Sequence, residues 1–137
     1  MMKRVGINMI FLSMLAMAAP AYAEDALVCE TQSVHFKWRE YRCPLTVNAS
    51  AQNIRFKADF TGSHDDTRLS ISLSLDGLPV TCGKDSKTWL NGEDSEASDV
   101  SLECKFVLDG AAGSQRILRA VVNIYHAGFL GIQLSAP

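Results

Sequence analysis

The sequence predicts an all-β fold: a single small antiparallel β-sandwich or barrel of seven to eight strands, stapled by two disulfides. Three observations predict it. Apolar and polar residues alternate with a period of two along most of the chain after residue 24. Clusters of glycine with asparagine, aspartate or serine separate the alternating runs. Four cysteines, Cys29, Cys43, Cys82 and Cys104, follow a segment that reads as an export signal.

That segment comes first. Residues 1–23, MMKRVGINMIFLSMLAMAAPAYA, have a basic start at Lys3 and Arg4, an apolar run from Val5 to Ala19, and an Ala21-Tyr22-Ala23 ending. The three-part pattern predicts a signal peptide cleaved before Glu24 and a single domain over 24–137. The apolar run is too short to span a bilayer comfortably, so no membrane insertion is expected. Export to the periplasm or exterior is oxidising, which makes paired cysteines the expectation. Four cysteines permit three pairings, and the sequential one, Cys29–Cys43 with Cys82–Cys104, is preferred here. In the chain-entropy description each closed loop contributes about 3 kcal/mol.

The expected strands run 26–31, 33–39, 43–48, 52–60, 68–75, 78–83, 99–108 and 116–134, the last divided near His126-Ala127-Gly128. In SVHFKWR, Val34, Phe36 and Trp38 alternate with His35, Lys37 and Arg39. In NIRFKADF, Ile54, Phe56, Ala58 and Phe60 form the apolar set. RLSISLSL sets Leu69, Ile71, Leu73 and Leu75 against serines, and VSLECKF sets Val100, Leu102, Cys104 and Phe106 against Ser101, Glu103 and Lys105. Turns are expected at Thr61-Gly62-Ser63, Asp76-Gly77, Asn91-Gly92 and Asp109-Gly110. Asp76-Gly77 between two apolar runs reads as a hairpin.

Catalytic chemistry has little to stand on. The histidines His35, His64 and His126 belong to no recognisable motif. His64-Asp65-Asp66 is the one His/Asp cluster, and as a metal site it would need ligands from elsewhere. No nucleophile elbow, zinc-binding helix or phosphate loop is present. The expectation is therefore a protein that is not an enzyme, with no cofactor and no metal.

Charge points to one segment. The chain after residue 23 carries 11 basic and 15 acidic residues, a net of −4. Between Cys82 and Cys104, Lys84 and Lys87 face Asp85, Glu93, Asp94, Glu96, Asp99 and Glu103, also a net of −4. Residues 33–59 lean the other way, and their cations would share a patch if strands 33–39 and 52–60 lie close. Trp89 and Leu90 sit inside the acidic segment. Either Trp89 anchors the loop to the core, or it stands exposed as a hot spot on a pre-organised loop.

The functional expectation is an exported non-catalytic binding protein that captures another protein, for example as an inhibitor or immunity factor. Its contact residues would be Trp89, Leu90, Glu93, Asp94, Glu96 and Asp99, and its partner a protein with a basic surface. No nucleic-acid partner is expected. The alternatives are a surface-fibre subunit, adhesin or assembly component, and a barrel-type small-molecule carrier.

Overall fold

The computed structural model describes residues 27–48, 51–92 and 98–136. The chain up to residue 26, with the expected export signal, lies outside the described residues. Nine strands are present among the described residues: β1 (Glu30–His35), β2 (Trp38–Thr46), β3 (Ala51–Ser63), β4 (Arg68–Leu75), β5 (Leu78–Pro79), β6 (Trp89–Asn91), β7 (Ser98–Asp109), β8 (Gln115–Tyr125) and β9 (Gly128–Ser135). They form two antiparallel sheets, so the fold is the sandwich rather than the barrel. The larger has the order β1-β2-β8-β4-β5, with β6 also paired to β4. The smaller has the order β9-β3-β7.

Alternation explains how the layers meet. Leu69, Ile71, Leu73 and Leu75 of β4, Leu118, Ala120, Val122 and Ile124 of β8, and Tyr41, Cys43 and Leu45 of β2 point inward from the large sheet. Ile54, Phe56, Ala58 and Phe60 of β3 face them, with Leu102, Cys104, Phe106 and Leu108 of β7. One row from each sheet therefore makes a single core. The chain crosses between layers repeatedly: β2 to β3, β3 to β4, β6 to β7, β7 to β8 and β8 to β9 each change sheet.

Both disulfides take the sequential pairing, Cys29–Cys43 and Cys82–Cys104. Cys104 is fully buried in the small sheet, while Cys82 follows β5 of the large one, so this bond ties the two layers together. The Asp76-Gly77 hairpin is also as expected, with φ of 51° and 86° at its two central residues. Those values define the type I′ turn that matches strand twist. The Asp76 carboxylate accepts the Ile117 N–H at 2.8 Å and the Arg116 Nε–H at 2.6 Å. The backbone hydrogen bond from Ile117, then the one from Arg116, holds this carboxyl below the usual range.

Three local expectations are corrected. The expected strand 33–39 is broken by a tight turn at Phe36-Lys37, and its apolar set is not core: Val34 is 67% and Phe36 75% exposed. β1 is an edge strand that pairs only with β2, and the three-stranded sheet leaves it uncovered. Alternation there reports a pleat with nothing packed on it. At Thr61-Gly62-Ser63 the expected turn is instead a bulge, where Gly62 adopts φ 74° and the register with β7 shifts between Phe60 and Ser63. The expected strand 78–83 shrinks to Leu78–Pro79: one further backbone bond follows, from the Val80 N–H to the Leu73 carbonyl at 3.0 Å, and the next β4 donor, the Ile71 N–H, goes to the Thr88 carbonyl instead.

Candidate functional site

The outer face of the large sheet carries the most concentrated recognition chemistry among the described residues. In β8, β4 and β6 the residues between the inward ones point outward, and antiparallel pairing aligns them in rows. Trp38 lies opposite Asn123, Asn123 opposite Ser70, and Ser70 opposite Trp89. The next row sets Tyr125 opposite Arg68 and Arg68 opposite Asn91. Four strands, remote in sequence, thus contribute to one surface.

A cleft of about 460 Å³ lies on these rows, lined by Trp89, Tyr125, Asn91, Asn123, Arg68 and Lys37 among others. Trp89 is 64% exposed and Tyr125 39%, so both rings are open to a ligand. The Asn123 Nδ2–H donates to the Ser70 hydroxyl at 3.1 Å, which fixes the amide between the two aromatic walls. The Arg68 guanidinium lies 5.3 Å from the centre of the Tyr125 ring, and the other neighbour of that ring is the His126 imidazole, stacked at 4.1 Å and 7°. His126 Nδ1 pairs with the Asp66 carboxylate. Asp66 of the His64-Asp65-Asp66 cluster thereby steadies the cleft's aromatic wall, and His64 contributes its N–H to the Thr67 hydroxyl at 2.7 Å.

Trp89 reaches this surface because the segment after Cys82 runs as a strap along both layers. Lys87 exchanges two backbone hydrogen bonds with Glu103 of β7, at 2.9 and 2.7 Å. One residue later the Thr88 carbonyl accepts the Ile71 N–H of β4 at 2.8 Å. Leu90 then points inward and is buried in the core, which leaves its neighbours Trp89 and Asn91 directed outward. Of the two readings of Trp89, core anchor or exposed ring, it is the exposed ring; Leu90, expected beside it as a contact residue, is instead buried.

The acidic residues do not join them. Glu93, Asp94 and Glu96 lie outside the described residues. Asp99 and Glu103 belong to β7 and alternate with its core residues, so they sit on the outer face of the small sheet, across the sandwich from Trp89. There Asp99 accepts the Thr61 hydroxyl at 2.5 Å, and Glu103 pairs with Arg55. The expected basic patch over residues 33–59 also fails to form, because β2 and β3 belong to different sheets. Its cations are divided: Arg42 pairs with Glu30, Arg55 with Glu103, and Lys57 with Asp59.

No protein-family model and no curated protein matches this chain. Solved structures that resemble it in fold are β-sandwich modules. One is a family 35 carbohydrate-binding module from Cellvibrio japonicus, 10% identical over 81% of this chain and 87% of that one, with a TM-score of 0.44. Another is a family 35 module from an environmental isolate, 10% identical over 82% and 84%, TM-score 0.43. A third is a module of a Cellvibrio mixtus lichenase in complex with cellotriose, 6% identical over 84% and 93%, TM-score 0.40.

The expected partner, a protein with a basic surface, is overturned. The charges around Trp89 agree with the correction: the charged side chains lining its cleft are Lys37 and Arg68. A basic surface would meet like charge there. Sequence reasoning singled out Trp89 but not Tyr125, Asn123, Ser70, Arg68 and Lys37, which line the same cleft. The outward positions of β4 and β8 were legible as the polar half of each alternation, but which strands lie side by side was not.

Proposed function

We propose that this chain is an exported, non-catalytic carbohydrate-binding module whose site is the Trp89–Tyr125 cleft. The observation that carries the reading is the chemistry of that cleft. Two open aromatic rings flank a floor of amide and hydroxyl groups on a disulfide-stapled sheet. A sugar ring has apolar C–H faces and a rim of hydroxyls that both donate and accept. Trp89 and Tyr125 offer flat apolar area at low entropic cost. Asn91, Asn123 and Ser70 each offer a donor and an acceptor, which is what a hydroxyl rim needs. A rigid sheet holds these groups in place before binding, so little ordering cost falls on the complex.

Affinity electrophoresis through gels containing soluble polysaccharides tests this directly. Retardation by at least one polysaccharide is expected, and Trp89→Ala or Tyr125→Ala should abolish it. Val107→Ser, on the outer face of the small sheet, should leave it unchanged. Because Trp89 is largely exposed, its loss should leave the melting temperature near that of the parent chain. Undiminished retardation of both aromatic variants would rule the cleft out as the site.

A further inference from the structure

We propose that the ligand of this cleft is an anionic glycan, bound as an extended chain of several sugars that crosses the strands from Trp89 toward Trp38. The proposal rests on the carbohydrate reading above and adds the charge and the length of the ligand. Charge is the first observation. In the large sheet, Arg42 pairs with Glu30, Arg119 with Glu40, and Arg116 with Asp76 and Asp109. Lys37 and Arg68, the two cations that line the cleft, have no carboxylate partner among the described residues, and no carboxylate is among the residues lining it. Each is instead near an aromatic ring: Lys37 Nζ is 5.4 Å from the Phe36 centroid and Arg68 5.3 Å from that of Tyr125. Among the described residues, positive charge without a carboxylate partner is therefore gathered where the aromatic rings and amides also lie. Carboxylates or sulfates carried on a sugar chain complement that arrangement, and a neutral glycan would leave both cations unmatched.

Length is the second observation. Trp38, Asn123, Ser70 and Trp89 occupy successive strands β2, β8, β4 and β6 in one cross-strand row. Three strand spacings set the two tryptophans roughly 14 Å apart, which is more than one sugar ring can bridge. At the far end the rings of Trp38, His35 and Phe36 form a stack, with His35 4.6 Å from Phe36 and 5.4 Å from Trp38. Lys37 leaves the same turn to line the cleft. The β1–β2 turn thus supplies both an aromatic stop and a cation, and the row between holds the hydrogen-bonding amide and hydroxyl.

Titration calorimetry of the purified chain, both disulfides formed, tests charge and length separately. The probes are polygalacturonate and its fully methyl-esterified form, alginate, a sulfated glycan and a neutral β-glucan, with oligogalacturonides of one to five units. The acidic polymers should bind at least about tenfold tighter than the ester and the neutral glucan. That preference should fall steeply as sodium chloride rises from about 0.05 to 0.5 M. Lys37→Gln and Arg68→Gln should each weaken the acidic polymers about fivefold or more, and weaken them by a larger factor than any neutral glycan. For whichever acidic chain binds, affinity should rise up to three or more units, and Trp38→Ala should remove that gain without affecting shorter fragments. Equal affinity for charged and neutral polymers, or no salt dependence, overturns the anionic assignment and leaves the carbohydrate reading standing. Affinity already complete with a single sugar overturns the extended site. No binding to any member, charged or neutral, overturns both readings.

Discussion

Thr67 is where the cleft, the strap and the β8–β9 turn are tied together, and its hydroxyl gives a sharp test. The side chain is fully buried. Its hydroxyl donates to the His126 carbonyl at 2.5 Å and accepts the His64 N–H at 2.7 Å, while its own carbonyl accepts the Gly92 N–H at 2.7 Å. Thr67→Val keeps the branched shape but leaves both the His126 carbonyl and the His64 N–H without that partner. A buried polar group stranded in this way costs about 1–3 kcal/mol. Both stranded groups lie in loops, where one can recruit water, so the expected loss is about 2 kcal/mol. Thr67→Ser keeps the hydroxyl and loses one methyl, about 1 kcal/mol. Urea unfolding should therefore rank the parent above Thr67→Ser and Thr67→Ser above Thr67→Val, with unchanged denaturant slopes. For a domain of this size the valine variant should melt roughly 8 °C lower. If valine proves as stable as serine, the hydroxyl is not what holds these loops together.

Replacing Cys82 and Cys104 with alanine opens a loop of 22 residues, and the Cys29/Cys43 pair one of 14. Loop closure depends only logarithmically on length, so each double variant should lose about 3 kcal/mol in urea unfolding; an undiminished midpoint in either would refute this. Acid should act through Asp76. Its folded-state carboxyl is held below the ordinary value, so the unfolded chain takes up its proton first as pH falls. The stability it provides is complete above about pH 4 and drains away below that. Asp76→Asn, which adopts the same turn conformation, should accordingly be less stable than the parent at pH 7 and match it near pH 2. A constant gap across that pH range in urea titrations would exclude the mechanism. Gly128 is packed against β3: an added Cβ would stand 2.9 Å from the Thr61 Cγ2. Gly128→Ala should cost about 1–2 kcal/mol in thermal unfolding, and Thr61→Ser in the same chain should recover most of it.

Much of the fold was legible because strand alternation is a local signal. The core rows Ile54-Phe56-Ala58-Phe60 and Leu69-Ile71-Leu73-Leu75 were read from a period of two, and both are buried as expected. The same signal misled at Val34 and Phe36. An alternating strand at a sheet edge looks identical in sequence whether or not a second layer covers it. Gly62 shows a similar ambiguity, since a positive φ serves a bulge as well as a turn.

The site was legible only in part. Trp89 stood out by its company, a large aromatic ring among short polar residues, and it is exposed. Its supposed allies did not follow it, because the strap delivers Trp89 to one face of the sandwich while β7 carries Asp99 and Glu103 on the other. Net charge summed along a segment ignores which layer each residue faces. It therefore concealed that, among the described residues, the charged side chains lining the Trp89 cleft are Lys37 and Arg68.

What the sequence alone determined was the period of the chain and hence the all-β class, the inward identity of most strands, and the Asp76-Gly77 hairpin. Each depends on neighbours a few residues apart. The disulfide pairing, preferred from sequence, became certain only in the fold. Tertiary structure alone decided the order of the strands and with it the row Trp38–Asn123–Ser70–Trp89. That row joins four strands whose adjacency is set by how two sheets bury a shared core. No local signal encodes it, since an outward side chain on β4 carries no mark of whether β8, β6 or solvent lies beside it.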